Sequence, residues 1–403
     1  MVIDTRTILE PTSSNIKQED FLKYLLKNKS RFDVTRVSYL EGFSEIDIPV
    51  AIAYRPNSRV LSQSGGKGIT RTQSMISALM ESFECNAAEK VIPCIEKKNI
   101  NEIKKINKNY IHPKNFPTTL TQFDENLPID WSYCRNLFSD EIYLVPFDMI
   151  SLNFTRMTNI SEPSFIQLSS NGLASGMNEN EAILSAIYEI IERHSSTTMA
   201  LMNNEKSKEV NLESLENQEI KNCISVFTNK RMNITVNDLS IYDEFPTYSA
   251  IISDNFGNET LGWGTNSNSE VAFLRALLEA NQARTIQISG AREDMHKFDY
   301  LLRKNIEISS KNNFRERCLD FENNKKELII REYKELKPFF EKYNIPDPLC
   351  FTFKNDLDMC AVRVVIPYLH GYLYPGYESV IRKEFFEELS TYQSKTKHYP
   401  AAI

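Results

Sequence analysis

Between Ser170 and Ser196 the chain reads SNGLASGMNENEAILSAIYEIIERHSS, and Glu181, Glu189 and Glu192 in it are spaced for one helical stripe. On a helix of 3.6 residues per turn, positions 181, 185, 189 and 192 lie nearly above one another, so these acids share a face. Like charges on a solvated face repel by only a few tenths of a kcal/mol per pair. Two arrangements account for such a stripe: a solvated surface, or a group of carboxylates gathered around something strongly positive. The pattern recurs. Upstream, SQSGGKGITRTQSMISALMESFECNAAE carries Glu81 and Glu84 three residues apart, and downstream, GWGTNSNSEVAFLRALLEANQAR carries Arg275, Glu279 and Gln282 on one stripe. Three helices aiming such pairs at a common centre would make a multi-carboxylate site for hard cations. Mg2+ in particular is held by carboxylates together with substrate phosphates.

Each of these segments reads as a glycine turn, a cap and a helix. The turns hold Gly65, Gly66 and Gly68 in the first, Gly172 and Gly176 in the second, and Gly262 and Gly264 in the third, and glycine lets backbone approach a ligand closely. Asn178 with Glu181 and Ser267 with Glu270 read as capping boxes. In the first helix Met75, Leu79, Met80 and Phe83 make the core stripe. Lys67, inside the first turn, either meets a phosphate or braces the turn. Standard nucleotide motifs are absent: in GGKGIT the lysine lacks the following hydroxyl residue that would hold Mg2+, and GWGTNS has only two glycines of the dinucleotide fingerprint.

The surrounding chain alternates strand and helix signals, which predicts a mixed α/β architecture. Residues 20–30 read as a short amphipathic helix, and IDIPVAIAYRP, from Ile46 to Pro56, as a buried strand. Residues 99–127 are polar and read as a connecting excursion. DMCAVRVVIPYLHGYLYPG reads as another buried strand. We expect one composite domain over 1–403, with a core over 60–295 that holds the three motifs and a charged helical segment over 296–345 with a solvated face.

Composition bounds the function. With 403 residues, 41% hydrophobic and 25% charged, the chain has the make-up of an ordinary soluble globular protein. It has no apolar run of membrane-spanning length, and MVIDTRTILEP lacks the apolar core of a signal sequence, so a cytoplasmic protein is expected. The formal charge of -7 argues against direct nucleic-acid binding. Seven cysteines without a C-x-x-C pair suggest neither a disulfide framework nor a zinc site, and His194 reads as structural.

RVSYLEGFSEIDIPVAIAYRPNSRVLSQSGGKGITRTQSMISALMESFE, SNGLASGMNENEAILSAIYEIIER and GWGTNSNSEVAFLRALLEANQAR together resemble, in order and spacing, the sequence blocks of the YcaO family. The wording IPVAIAYRPNSRVLSQSGGKG is most similar to the branch found beside TfuA proteins. The resemblance implies a YcaO-type fold that binds ATP and Mg2+ and activates a peptide backbone amide by phosphorylating its oxygen. It assigns Glu81, Glu84, Glu189, Glu192 and Glu279 to metal, and Arg6, Ser13, Glu181, Arg193 and Gln282 to the nucleotide, with Lys67 beside them as a phosphate contact or a brace. Arg193, Glu192 and Gln282 would act in catalysis. Met177 stands where relatives often have a nucleotide-contacting asparagine, and Ala174 lacks a hydroxyl found in some members. Attack by external sulfide would give a thioamide, with a TfuA-like protein delivering sulfur; attack by a substrate side chain would give an azoline in a ribosomally made peptide natural product. Azoline-forming relatives usually end in a P-x-P tail, whereas this chain ends HYPAAI. A third implied role is that of a nucleotide-binding accessory factor for methylthiolation of a ribosomal protein. A peptide or protein substrate and a homodimer are the expected partners.

Overall fold

The alternating strand and helix signals are realised as a mixed α/β fold, seen here in a computed structural model that describes residues 17–116, 123–158, 166, 168–201, 207–291, 293, 318–369 and 371. The expected single composite domain is built as two compact units: Met1–Phe83 with Thr198–Ile329, and Glu84–Thr197 with Ile330–Ile403.

The first unit opens with helix α1 (Gln18–Asn28), close to the amphipathic helix expected over 20–30. An antiparallel sheet follows, ordered β1 (Arg36–Tyr39), β2 (Val50–Tyr54), β3 (Gln63–Lys67). β2 is VAIAY with its first four residues buried, as its β-branched and apolar run requires. A second sheet is ordered β11 (Glu259–Thr265), β10 (Thr247–Ser253), β9 (Asn233–Asp238), β8 (Lys208–Asn211), β12 (Cys318–Asp320). All its pairs are antiparallel except β8 with β12. Helix α5 (Gln218–Thr228), capped by Asn217, buries Ile220, Cys223 and Phe227 in the same core. Helix α6 (Ser269–Ser289) buries Ala272, Phe273, Leu274, Ala276, Leu277, Leu278 and Ala280, which cover all of its surface but the stripe of Arg275, Glu279 and Gln282. A helix apolar over most of its surface must be largely enclosed. It packs on β10 and β11 and also on β2 and β3, and Asn281 Nδ2 donates to the Ile48 carbonyl at 3.2 Å.

The second unit is built on one sheet ordered β4 (Ile95–Lys98), β5 (Ile129–Asn136), β13 (Leu349–Thr352), β14 (Cys360–Val365), β7 (Leu173–Gly176), with β6 (Ile142–Pro146) pairing to β5. β14 is the strand expected in DMCAVRVVIPYLHGYLYPG, and Ala361 to Val365 are buried. Helix α4 (Glu179–Leu201) begins in this unit, and helix α2 (Arg71–Lys90) enters it at Glu84.

Four local readings change. Gly65 and Gly66 lie in strand β3, and Gly262 and Gly264 in β11, so the first and third helices follow glycine strands instead of glycine turns. The reason is close packing: a Cβ on Gly262 would fall on the Ala276 carbonyl and Ala280 amide of α6, and one on Gly66 on the Ser74 carbonyl and Ala78 amide of α2. Second, the cap of α6 is Asn268, whose side chain accepts from the amides of Glu270 and Val271; Ser267 is one residue early. Third, the excursion over 99–127 contains helix α3 (Ile100–Ile106), started by a complete capping box between Asn99 and Glu102 and anchored by buried Ile100 and Ile103. Fourth, the described part of the expected charged helical segment, 318–345, includes strand β12 and only short helical turns, at Phe321–Asn324, Tyr333–Leu336 and Lys337–Lys342. Phe321, Tyr333, Leu336, Phe339 and Phe340 there are buried, so its aromatics form core while its charges cover them.

All seven cysteines are free thiols. Burial pushes Cys223 and Cys350 up to about 12, which makes them inert packing residues. Among the described residues no helix is long and apolar enough to cross a membrane.

Candidate functional site

In the first unit the candidate residues sit on α6, β3 and the start of α2. Gly66 and Gly68 flank Lys67, and a Cβ on either would strike α2, so the strand lies directly on the helix. The Lys67 amide donates to Ser77 Oγ at 3.3 Å. Its ammonium forms an ion pair with Glu279, and both side chains are only 22% exposed. Lys67 therefore neutralises an acid of α6. One turn further along α6, Gln282 lies against the Gly65 backbone, where a Cβ would collide with its amide nitrogen. Arg275, four residues before Glu279, is half-buried, and its Nε is buried without a hydrogen bond. Glu81 is half-buried on α2. The core stripe of α2 is Ala78, Leu79 and Phe83 with buried Ser74 and Ser82; Met75 and Met80 are only half-buried.

In the second unit Glu84 accepts two hydrogen bonds from one residue, from the Ser175 amide at 2.8 Å and from its hydroxyl at 2.6 Å. Sequence reasoning missed Ser175. Its place between Gly172 and Gly176 was visible, but its partner lies 91 residues away. Gly172 has φ +77°, a left-handed turn that aims the chain into β7. At the start of α4 the Glu181 amide donates to Asn178 Oδ1 at 3.0 Å, which is the expected cap. The Glu181 carboxylate reaches one residue further back than a capping box would, to the Met177 amide at 3.0 Å. Met177 thus contributes its backbone. Ala174 is buried in β7 opposite Val362. Two turns beyond the start of the stripe, Glu189 is half-buried, and Glu192 is buried and pairs with Arg193 at 3.3 Å. His194 is buried.

Glu81, Glu84, Glu181, Glu189, Glu192 and Glu279 are therefore all buried or half-buried. A solvated stripe does not describe them. Removing a carboxylate from water is costly unless a cation or hydrogen-bond donors replace the solvent, and the partners above are such replacements. Among the described residues, no three His, Cys, Asp or Glu side chains form a group that could hold a metal ion. The carboxylates instead engage protein donors: Glu84 with Ser175, Glu181 with Met177, Glu192 with Arg193 and Glu279 with Lys67. Arg6, Ser13 and the HYPAAI end lie outside the described residues.

Comparison with known proteins gives the chain's family and fold. Residues 65–370 match the family model described as YcaO cyclodehydratase, ATP- and Mg2+-binding. An uncharacterized protein of Methanothermobacter thermautotrophicus is 29% identical over 306 residues, covering 72% of this chain and 76% of its own. A Rhizobium leguminosarum bv. trifolii protein, named for its place in the tfuA 3' region, is 28% identical over 274 residues, covering 65% of this chain and 64% of its own. Among solved structures, YcaO from Methanopyrus kandleri, bound with AMPPCP and Mg2+, superposes with a TM-score of 0.66 at 19% identity over 88% of this chain and 91% of that one. A heterocyclase in complex with substrate and cofactor gives a TM-score of 0.73 at 16% identity, covering 88% of this chain and 53% of the heterocyclase. The donor chemistry here suits the two ligands in the family description. Carboxylates, a serine hydroxyl and a glutamine amide are hard oxygen donors of the kind Mg2+ takes, and Lys67 and Arg193 are the cations that phosphate oxygens seek. The chain belongs to the YcaO family, with its mixed α/β fold and its binding of ATP and Mg2+.

Proposed function

We propose that this chain uses ATP and Mg2+ to activate a peptide backbone amide by phosphorylation of its oxygen, and that sulfide from a TfuA-like partner then yields a thioamide. The observation that carries the ATP-dependent part is the shielding of six carboxylates on α2, α4 and α6 in a chain that matches an ATP- and Mg2+-binding family over 65–370. Support for the sulfur-delivering partner comes from the likeness to a protein of the tfuA 3' region. When bound, ATP and Mg2+ supply the phosphoryl donor and the charge screening that turn an amide oxygen into a leaving group.

The roles of the chain's own residues follow. Glu81, Glu84, Glu189, Glu192 and Glu279 provide carboxylate oxygens for Mg2+. Glu181, Gln282, Lys67 and, in the segment outside the described residues, Arg6 and Ser13 position the nucleotide. Arg193, oriented by the Glu192 carboxylate, would offer its guanidinium to phosphate oxygens. Gln282 lies where a side chain on Gly65 would be, so the glycine leaves its amide the room it occupies. We place the protein in the cytoplasm and expect it to act as a homodimer.

Cyclodehydration to an azoline is the second reading, favoured by the family's description as cyclodehydratase. Intact mass separates the two. Candidate peptides incubated with the protein, ATP, Mg2+, sulfide and a TfuA-like protein should become heavier by the difference between sulfur and oxygen at each site. A loss of one water per site, independent of sulfide, would overturn the thioamide reading in favour of the azoline.

A further inference from the structure

We infer that Lys67 is an exchangeable counter-ion: its ammonium neutralises Glu279 before ligand binding, then leaves that carboxylate to Mg2+ and moves to a nucleotide phosphate. This rests on the ATP- and Mg2+-dependent reading above and assigns Lys67 a role that neither a fixed phosphate contact nor a brace supplies.

The local geometry allows movement of the side chain and of little else. Lys67 ends β3, in register with Val50 of β2, and its amide is tied to Ser77 Oγ. On both sides of it, Gly66 and Gly68 are pressed against α2 so closely that a single added carbon would collide. The Cα is thereby clamped. Glu279 sits on α6, whose other faces are buried in the same core, which fixes the acid as firmly. Between the two anchors lies a four-carbon stem ending in a compact charge with three rotatable donors, the side chain best suited to change partners without backbone rearrangement.

Energetics give the direction. Both side chains are 22% exposed, so Glu279 cannot rely on bulk water to offset its charge and holds the nearest cation. A divalent ion is the stronger claimant for a carboxylate, and once Glu279 serves it, an ammonium left beside the metal would be repelled. Triphosphate oxygens provide the replacement partner at the moment the first is lost. The exchange couples the two ligands: Lys67 opposes metal binding in the absence of nucleotide and favours nucleotide binding once Glu279 is served by metal.

The test reads binding, without turnover. In Lys67→Met, Mn2+ used as a spin probe without nucleotide should bind more tightly than to the unchanged protein, because its competitor is gone. A fluorescent ATP analogue with saturating Mg2+ should bind the same variant about tenfold more weakly, the loss of one charge-assisted hydrogen bond. Opposite shifts are the signature of exchange. Unchanged affinities would make Lys67 a brace, and weaker nucleotide binding with unchanged Mn2+ affinity would make it a fixed phosphate contact; either overturns the inference. Should Lys67→Met fail to fold, Glu279→Gln gives an independent arm. With metal removed by chelator, replacing the ion pair by a weaker hydrogen bond to a neutral amide should let Lys67 leave more readily and strengthen analogue binding, and adding Lys67→Arg should preserve that gain; no gain overturns the inference. If the unchanged protein itself fails to bind the analogue with Mg2+, the proposed function falls too, whereas normal binding with no effect of Lys67→Met removes only the exchange.

Discussion

Glu189→Gln and Glu279→Gln should each lower ATP-dependent peptide modification by about a hundredfold to a thousandfold, the range seen when one preorganised electrostatic group is removed from an active site. The fold should survive both. Glu189 is half-buried on α4, and replacing it with an isosteric amide removes a charge without opening a cavity, so its melting temperature should hardly move. Glu279 differs because its partner is Lys67 in a half-buried pair. There we expect a loss of about 1 kcal/mol, since glutamine can still accept a hydrogen bond from the ammonium. Thermal melts and turnover measured on the same preparations separate these effects. Near-normal turnover in both variants would show that the shielded carboxylates have no part in the chemistry.

The second large effect is structural. Gly262→Ala should destabilise the protein by about 1–3 kcal/mol or prevent folding, because the new methyl falls on the Ala276 carbonyl and the Ala280 amide, both backbone atoms of α6 that cannot rotate away. Gly66→Ala meets the same obstacle on α2. Gly257→Ala is the informative control. At φ +79° with nothing within 4 Å, it has only backbone strain to bear, about 1–2 kcal/mol. Chemical denaturation of the three variants should rank Gly262→Ala and Gly66→Ala as at least as damaging as the control. If both were milder than Gly257→Ala, the close approach of strand to helix would not be what these glycines serve.

How much of this was legible in the sequence depends on the distance over which each feature is determined. Helices α2, α4 and α6 were readable because their apolar and acidic residues repeat at helical spacing within one segment. The acids on them could be named for the same reason. Whether those acids were solvated was not readable, because shielding comes from distant residues: Ser175 reaches Glu84 across 91 positions and Lys67 reaches Glu279 across 212. QSGGK carries no strand alternation and reads as a turn, yet pairing with VAIAY makes it β3. The Asn268 cap was missed by one residue because Ser267 and Asn268 are both good caps, and only the backbone decides between them. In 318–345 the charges dominate the pattern, while Phe321, Phe339 and Phe340 determine where the chain packs.

The central claim, that ATP is used to phosphorylate a peptide amide oxygen, is tested most directly by isotope transfer. A substrate peptide carrying a heavy oxygen isotope in the backbone carbonyl of the modified residue is converted with unlabelled ATP, Mg2+ and ordinary water. The account predicts that each modified residue sends its heavy oxygen into one released phosphate. Modified peptide accompanied by phosphate that carries no heavy oxygen would contradict it, because the amide oxygen would then have left by a route that ATP does not share.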